Sequence, residues 1–221
     1  MKKHKPKQTP ANRNRAFVIF SVLAATIIFG AIFTKSRSND LDAAAPSSLP
    51  NLVRAHNFTK GPAEAPVTIV KFFDPECEAC RATHPTLQSL YGEFPGKIRI
   101  VYRYTPFHGN SVYASAVLEE AREHGKFEEA LTLLFANQPV WGSHHQPQPE
   151  LIPGYMEQLG LKRNLFDRET VISKHKEKID IDEKDSRDLS VQLTPTFFVN
   201  GKKLNNIGYA SLKAAIEESL D

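Results

Sequence analysis

Cysteine is scarce in this sequence: two residues in 221, beside two methionines and one tryptophan. So few thiols cannot staple a mini-protein or supply a four-thiolate structural zinc site. The fold therefore has to rest on an apolar core, and the cysteines have to be read as chemistry. Acidic residues are almost missing from the start of the chain. Residues 1–40 carry eight Lys/Arg and one Asp, or +7, which leaves −4 for residues 41–221 within a net charge of +3. A mildly acidic body speaks against a nucleic-acid partner bound through its phosphates. No internal repeat is visible. What remains, 41% hydrophobic and 24% charged residues, is an ordinary globular composition at a length that suits one domain, or one domain with an insertion.

Charge is absent altogether from Ala16 to Thr34 (AFVIFSVLAATIIFGAIFT), behind a basic tail of Lys2, Lys3, Lys5, Lys7, Arg13 and Arg15. A bilayer core about 30 Å thick needs roughly 20 apolar residues in a helix, whereas a cleaved signal peptide has only about 7 to 15. The run is apolar all round, unlike a helix of a soluble core. It predicts an uncleaved signal-anchor helix over 16–34, with residues 1–15 held in the cytoplasm by their positive charge and everything after Lys35 exported. Ala43-Ala44-Ala45 imitates a cleavage site but lies well past the apolar run. The expected location is the cell inner membrane, crossed once, with the body of the chain on the periplasmic or extracytoplasmic side. A cysteine pair there is redox-active or bridged rather than metal-loaded.

Residues 35–57 read as a tether containing SRSND and AAAPSSLP, with a short strand or helix at 51–58. Pro66 then opens VTIVKFF, a β-branched and aromatic run of strand length, and KIRIVYRY from Lys97 to Tyr104 alternates as a second strand. Helical spacing from Ala79 to Tyr91 between them completes a β-α-β unit. Helices follow at Ser111–His124, Phe127–Asn137 and Glu150–Leu159, the first and last closed by Gly125 and Gly160, and a long charged one at Arg168–Leu189. A strand at Thr196–Asn200, a turn at Asn200-Gly201, a strand near Lys203–Ile207 and a helix at Ala210–Leu220 end the chain. The expected class is α/β: strand-helix-strand, a block of helices, a hairpin and a closing helix.

Cys77-Glu78-Ala79-Cys80 sits where the first strand has ended and the first helix begins. Three-residue spacing puts both sulfurs on one helical face, able to close a disulfide with little movement. Free N–H groups and the positive end of the helix dipole stabilise a thiolate there. Cys77, the outer residue, is thus the expected nucleophile and Cys80, one turn in, the resolving thiol. A CxxC is also half a zinc site or a small structural bridge, but zinc would have to recruit His84 and a distant group. His84 otherwise reads as packed or solvated, His144-His145 as a solvated turn, Trp141 as core, and the charges of 174–188 as a solvated helix face.

Three stretches resemble the DsbA-like branch of the thioredoxin superfamily: Gly61–Val70 (GPAEAPVTIV), Phe73–Cys80 (FDPECEAC) and Thr194–Gly201 (TPTFFVNG). The likeness covers about residues 60–220. Pro85 falls where such proteins kink the active-site helix, and the stretch from Pro106 to Phe135 resembles the first part of that branch's helical insertion. The resemblance implies a thioredoxin-fold domain over 58–220 with a helical subdomain inserted at about 108–190. It implies a cis Thr194–Pro195 bond against the cysteine pair, presenting the Thr194 backbone to an extended substrate by strand addition. It further implies protein thiol:disulfide exchange through Cys77 and Cys80, no cofactor beyond that pair, exported cysteine-containing proteins as substrates, and a membrane redox partner.

Two departures from the family pattern bear on the chemistry. The position six before the first cysteine, commonly a buried acid that accepts the proton of the inner thiol, is Lys71. The expectation is that its amine bends to the surface, or that Asp74 substitutes through water. Glu76 and Glu78 flank Cys77, where they are expected to oppose the helix dipole, disfavour the thiolate and make the disulfide less oxidising. The reading is a membrane-anchored oxidase or isomerase. Its alternatives are a dedicated reductase serving cytochrome or copper-site maturation, and a non-enzymatic metal-binding adaptor.

Overall fold

In the computed structural model, which describes residues 51–221, the two apolar runs become strands of one sheet. The basic tail, the expected anchor at 16–34 and the tether as far as residue 50 lie outside the described residues. Strand β1 (Phe58–Lys60) is followed by β2 (Val67–Phe73), helix α1 (Glu78–Glu93) and β3 (Ile98–Tyr104). β2 and β3 pair in parallel, from Val67 opposite Ile98 to Phe73 opposite Tyr104, which requires the crossover that α1 supplies. The insertion comprises α2 (Ser111–Glu123), α3 (Phe127–Trp141), α4 (Ile152–Glu157) and α5 (Arg168–Asp188). β4 (Thr196–Val199) then returns antiparallel to β2, turns into the short β5 (Lys202–Lys203), and α6 (Tyr209–Glu218) closes the chain. Asn200 and Gly201 take φ of 44° and 86°, the left-handed pair that a two-residue hairpin turn demands. The sheet order β1-β3-β2-β4-β5, with the helical block between β3 and β4, is a thioredoxin-like α/β fold with a helical insertion.

Several boundaries differ from expectation for local reasons. The helix from Phe127 continues past Asn137 to Trp141, because Pro139 falls in its last turn, where little of the helix remains to be disrupted. The helix expected at 150–159 is split into a 3₁₀ turn at Pro149–Leu151 and the six-residue α4, each with a proline in its first turn. The last strand is two exposed lysines rather than 203–207. Among the described residues no helix is long and apolar enough to cross a membrane.

Alternation along β2 divides the core. Val67, Ile69 and Phe73 face α1 and the insertion in the main apolar cluster, while Val70 and Phe72 face a smaller one with Leu52, Val101, Val191 and Phe198. Burying each such side chain contributes about 1.5–3 kcal/mol. Leu52 belongs to residues expected to be tether, and its neighbours are also docked. The buried Arg103 guanidinium donates to the carbonyls of Asn51 and Leu52 at 2.6 and 2.8 Å, to Asp182 at 2.7 Å and to Asp185 at 2.6 Å. Arg54 makes two further bonds to Asp185, and Asn57 donates to Asp182. Residues 51–57 are thus part of the folded body. The charge run 174–188 is likewise not wholly solvated, since His175, Asp182 and Asp185 are buried. Buried charges need partners, and α5 places its inward acids against Arg103.

Candidate active site

Cys77 is the N-cap of α1, reached directly from the C-terminal end of β2. Both cysteines are free thiols. The Cys77 thiol donates to the Thr194 carbonyl at 3.3 Å, and the Thr194–Pro195 peptide bond is cis, so the structure brings all four residues together. The Cys77 pKa is pulled down to about 5, above all by a hydrogen bond from Cys80. Burial opposes this, while the Thr194 side chain, as distinct from its carbonyl, and the backbone N–H groups of Cys80 and Ala79 add to it. Cys80 is fully buried. Its pKa is driven well above that of an ordinary thiol by burial and by its bond to Cys77, against the charge of Lys71. The outer thiol is therefore a thiolate at neutral pH and the inner one protonated, the division needed for a nucleophile and a resolving partner.

The flanking carboxylates do not act as expected. Glu76 is buried, but its oxygens accept from the Asn110 N–H at 2.7 Å and the Asn110 side-chain amide at 3.0 Å, at the start of α2. Glu78 is exposed and pairs with His144 Nε2 at 2.7 Å, so His144 stands beside the site rather than in a free turn. Neither acid is among the largest influences on the Cys77 pKa. The expected weakening of the thiolate is corrected accordingly: both charges are spent on other partners, and Glu78 is screened by water as well.

Asp74 and Lys71 also differ from expectation. The Asp74 carboxylate is buried and accepts from the backbone N–H groups of Glu76 (2.8 Å), Phe107 (2.7 Å) and His108 (3.2 Å), from His108 Nδ1 (2.7 Å) and from the Ser111 hydroxyl. It ties the loop before Cys77 to the start of the insertion instead of serving the inner thiol; only its backbone N–H faces Cys80 Sγ, at 3.5 Å. For His108, burial works against the charged form, but Asp74 and the Cys77 thiolate prevail and raise its pKa. Lys71 does not reach the surface. It is fully buried in a central strand with its ammonium over the rings of Phe73, Phe135 and Phe197.

Gln138 of α3, which the sequence reading did not single out, donates to the carbonyls of Pro75 at 2.8 Å and Cys77 at 3.0 Å. Gly142 lets α3 come this near: a Cβ there would lie 3.1 Å from Glu76 Cγ. Two large apolar side chains next in sequence to site residues are exposed, Leu193 beside Thr194 at 62% and Phe107 beside His108 at 52%. A groove lined by Leu193, Pro195, Thr196, Leu204 and Ile207 runs alongside the Thr194 turn.

Comparison with known proteins agrees with this architecture. The family model described as Thioredoxin matches residues 55–218. The chain is 36% identical over 148 residues to a protein named Na(+)/H(+) antiporter NhaA 1 from Salinispora arenicola, covering 65% of this chain and 22% of that protein. It thus spans between about a fifth and a third of the length of the antiporters that it matches. It is 28% identical over 178 residues to disulfide bond formation protein D of Bacillus subtilis, covering 72% and 75% of the two chains. The crystal structure of oxidised BdbD from Bacillus subtilis superposes with a TM-score of 0.67 at 24% identity, over 75% of this chain and 93% of that one, a likeness of fold.

Proposed function

The chain belongs to the thioredoxin family, and from that premise we propose that it is a DsbA-like protein thiol:disulfide oxidoreductase acting on exported proteins through Cys77 and Cys80. The observation that carries this reading is the unequal pair: a depressed Cys77 thiol at a helix start facing the Thr194 carbonyl, beside a buried, protonated Cys80. In the oxidising direction a substrate thiolate attacks the Cys77 sulfur of the disulfide and Cys80 leaves. A second substrate thiol then attacks the mixed disulfide and releases Cys77 as a thiolate. A thiolate held this far down favours the reduced pair, hence an oxidising disulfide, and supports oxidase over dedicated reductase. The exposed Leu193 and Phe107 and the groove beside Thr194 suit an extended, unfolded segment bound through its main chain. Anchoring through 16–34, with the domain on the periplasmic or extracytoplasmic side and a redox partner in the membrane, is part of the same proposal and rests on the sequence.

The test is to trap the intermediate. Cys80→Ser keeps the nucleophile and loses the resolving thiol, so mixed disulfides should accumulate on Cys77 in acid-quenched extracts run on non-reducing gels. Cys77→Ser should trap almost none. Equal adducts in both variants would refute the division of labour.

A further inference from the structure

The last turn of α2 and the turn of α5 that faces it hold a second cluster of titratable groups, none of which belongs to the cysteine site. Glu120, Glu123 and His124 stand at i, i+3 and i+4 where α2 ends, hence on one helical face, and His175 of α5 meets them there. One donor atom from each of Glu120, Glu123 and His175 lies within 4.8 Å of the other two, and His124 Nε2 stands 3.5 Å from Glu120 Oε1. Glu120 and His175 are buried, while Glu123 opens to solvent. His175 Nε2 bonds Glu120 Oε2 at 2.8 Å, but its Nδ1 is buried with no hydrogen-bond partner. Glu123 Oε1 lies 4.0 Å from that atom, too far for a hydrogen bond. A buried nitrogen left in this state is rare and calls for an explanation.

We propose that this seam is a site for one divalent cation of the zinc class, held by Glu120, Glu123 and His175 with His124 as fourth donor, and that the Lys174 ammonium is the group it displaces. The Glu120 carboxylate requires a proton on His175 Nε2, which in the neutral ring leaves the lone pair on Nδ1, the atom without a partner. A bond of that kind, from the far ring nitrogen to a carboxylate, is what orients a metal-bound imidazole. Two donors on one tetrahedral zinc, each about 2.0–2.2 Å from the metal, stand roughly 3.4 Å apart. The 4.0 Å between His175 Nδ1 and Glu123 Oε1 therefore has to close by only about 0.6 Å, within the reach of an exposed glutamate side chain. The second oxygen of Glu120 faces His124.

Charge favours a cation at this point. The cluster lies at the C-terminal end of α2, where unpaired carbonyls make the negative end of the helix dipole. Lys174 already bridges Glu120 Oε2 and Glu123 Oε2 with its ammonium, at 2.6 and 2.8 Å. Its side chain is 46% exposed, so it can swing into water without unpacking the core. The other cations nearby are engaged with Glu119: Arg122 at 2.6 Å, and Lys178 at 3.4 Å, against 3.8 Å from Lys178 to Glu123. Imidazole in the donor set selects zinc-like ions, whereas calcium and magnesium take six or more oxygens. α2 starts beside Asn110, which Glu76 holds, and α5 leads on to Thr194. An ion across the seam thus fastens together the two helices that reach the two sides of the cysteine site.

Zinc chloride titrated calorimetrically into the untagged, chelator-stripped full chain in detergent tests this, with Cys77 and Cys80 closed as a disulfide so that no thiol competes. One zinc should bind per chain and, at a free concentration 100 times Kd, raise Tm by about 5–10 °C. Magnesium at the same concentration should give no shift. Glu123→Gln, at an exposed position, should weaken zinc binding by at least about 10²-fold, and so should His175→Gln; thermal unfolding without metal checks that both variants are folded. Lys174→Gln should tighten binding by about 3–10-fold, because the competing ion pairs are gone. Absence of saturable zinc binding would mean that an ordered water fills the place beside Nδ1. Binding unchanged in both Glu123→Gln and His175→Gln would put the zinc on other groups, such as the exposed His144-His145 pair. An affinity that Lys174→Gln leaves unchanged or lowers would show that the ammonium does not hold the site. Each of these results overturns the proposal while the thiol:disulfide reading stands.

Discussion

Replacing Lys71 with methionine should make the protein more stable, and the gain should depend on pH in a way that identifies its cause. Burial lowers the Lys71 pKa from 10.5 to about 8, against the opposing charges of Cys80 and Cys77. That displacement corresponds to about 3 kcal/mol of folding free energy lost wherever the unfolded lysine is charged and the folded one must be charged too, namely below pH 8. Between the two pKa values the unfolded chain binds more protons than the folded one, so wild-type stability rises with pH. Above 10.5 both forms are neutral and the cost is gone. Methionine carries no charge but is slightly smaller, and the space left costs about 1 kcal/mol. The net gain at pH 7 is therefore about 2 kcal/mol, or about 4–8 °C in Tm. Denaturant unfolding of both chains, reduced, across this pH range reads the difference, and repeating the pair in a Cys77→Ser/Cys80→Ser background removes the thiol titrations that are coupled to Lys71. A gain that stays constant up to pH 10.5, or a methionine variant less stable than wild type at pH 7, would refute the reasoning and mean that the amine is solvated or paired.

Glu78→Gln should leave the Cys77 pKa within about half a unit of its value near 5, because an exposed carboxylate already paired with His144 is screened; ultraviolet thiolate absorbance against pH checks this, and a large downward move would restore the opposing role first expected of it. Asp74→Ala strips the acceptor from three backbone N–H groups, His108 and Ser111 at once. It should cost about 3–5 kcal/mol in urea unfolding, and a loss below about 1 kcal/mol would show that water replaces the carboxylate. For topology, protease added to spheroplasts should digest the Cys77 domain and leave the basic tail protected; digestion only after lysis would reverse the orientation.

Patterns that repeat within a few residues were legible in the sequence. VTIVKFF could be read as a strand from its continuous β-branched and aromatic run, KIRIVYRY from its alternation, and the hairpin turn because Asn-Gly suits left-handed angles. The cysteine pair was legible from its own spacing. What the sequence did not reveal is what the insertion does to the site: Gln138 and Asn110 are remote in the chain and ordinary in type, and nothing local marks them as partners of Cys77 and Glu76. Lys71 was misjudged for a different reason. The tendency of lysine to reach for water was given more weight than its place between Tyr102 and Phe197, its cross-strand neighbours, in a strand with no edge. Glu76 and Glu78 show the same limit, since charge could be counted from the sequence but the direction of each carboxylate could not.

The clasp around Arg103 gives the molecule a mechanical reference point. Tension on the segment that enters at Asn51 is taken up by bonds to Arg103, Asp182 and Asp185, on the side of the sheet opposite the buried amine. From Asp185 only residues 186–193 intervene before Thr194. A pull on the entering chain therefore loads two routes to the site at once, the end of α5 that leads to Thr194 and, through Arg103 opposite Phe72, the last residues of β2 that lead to Cys77.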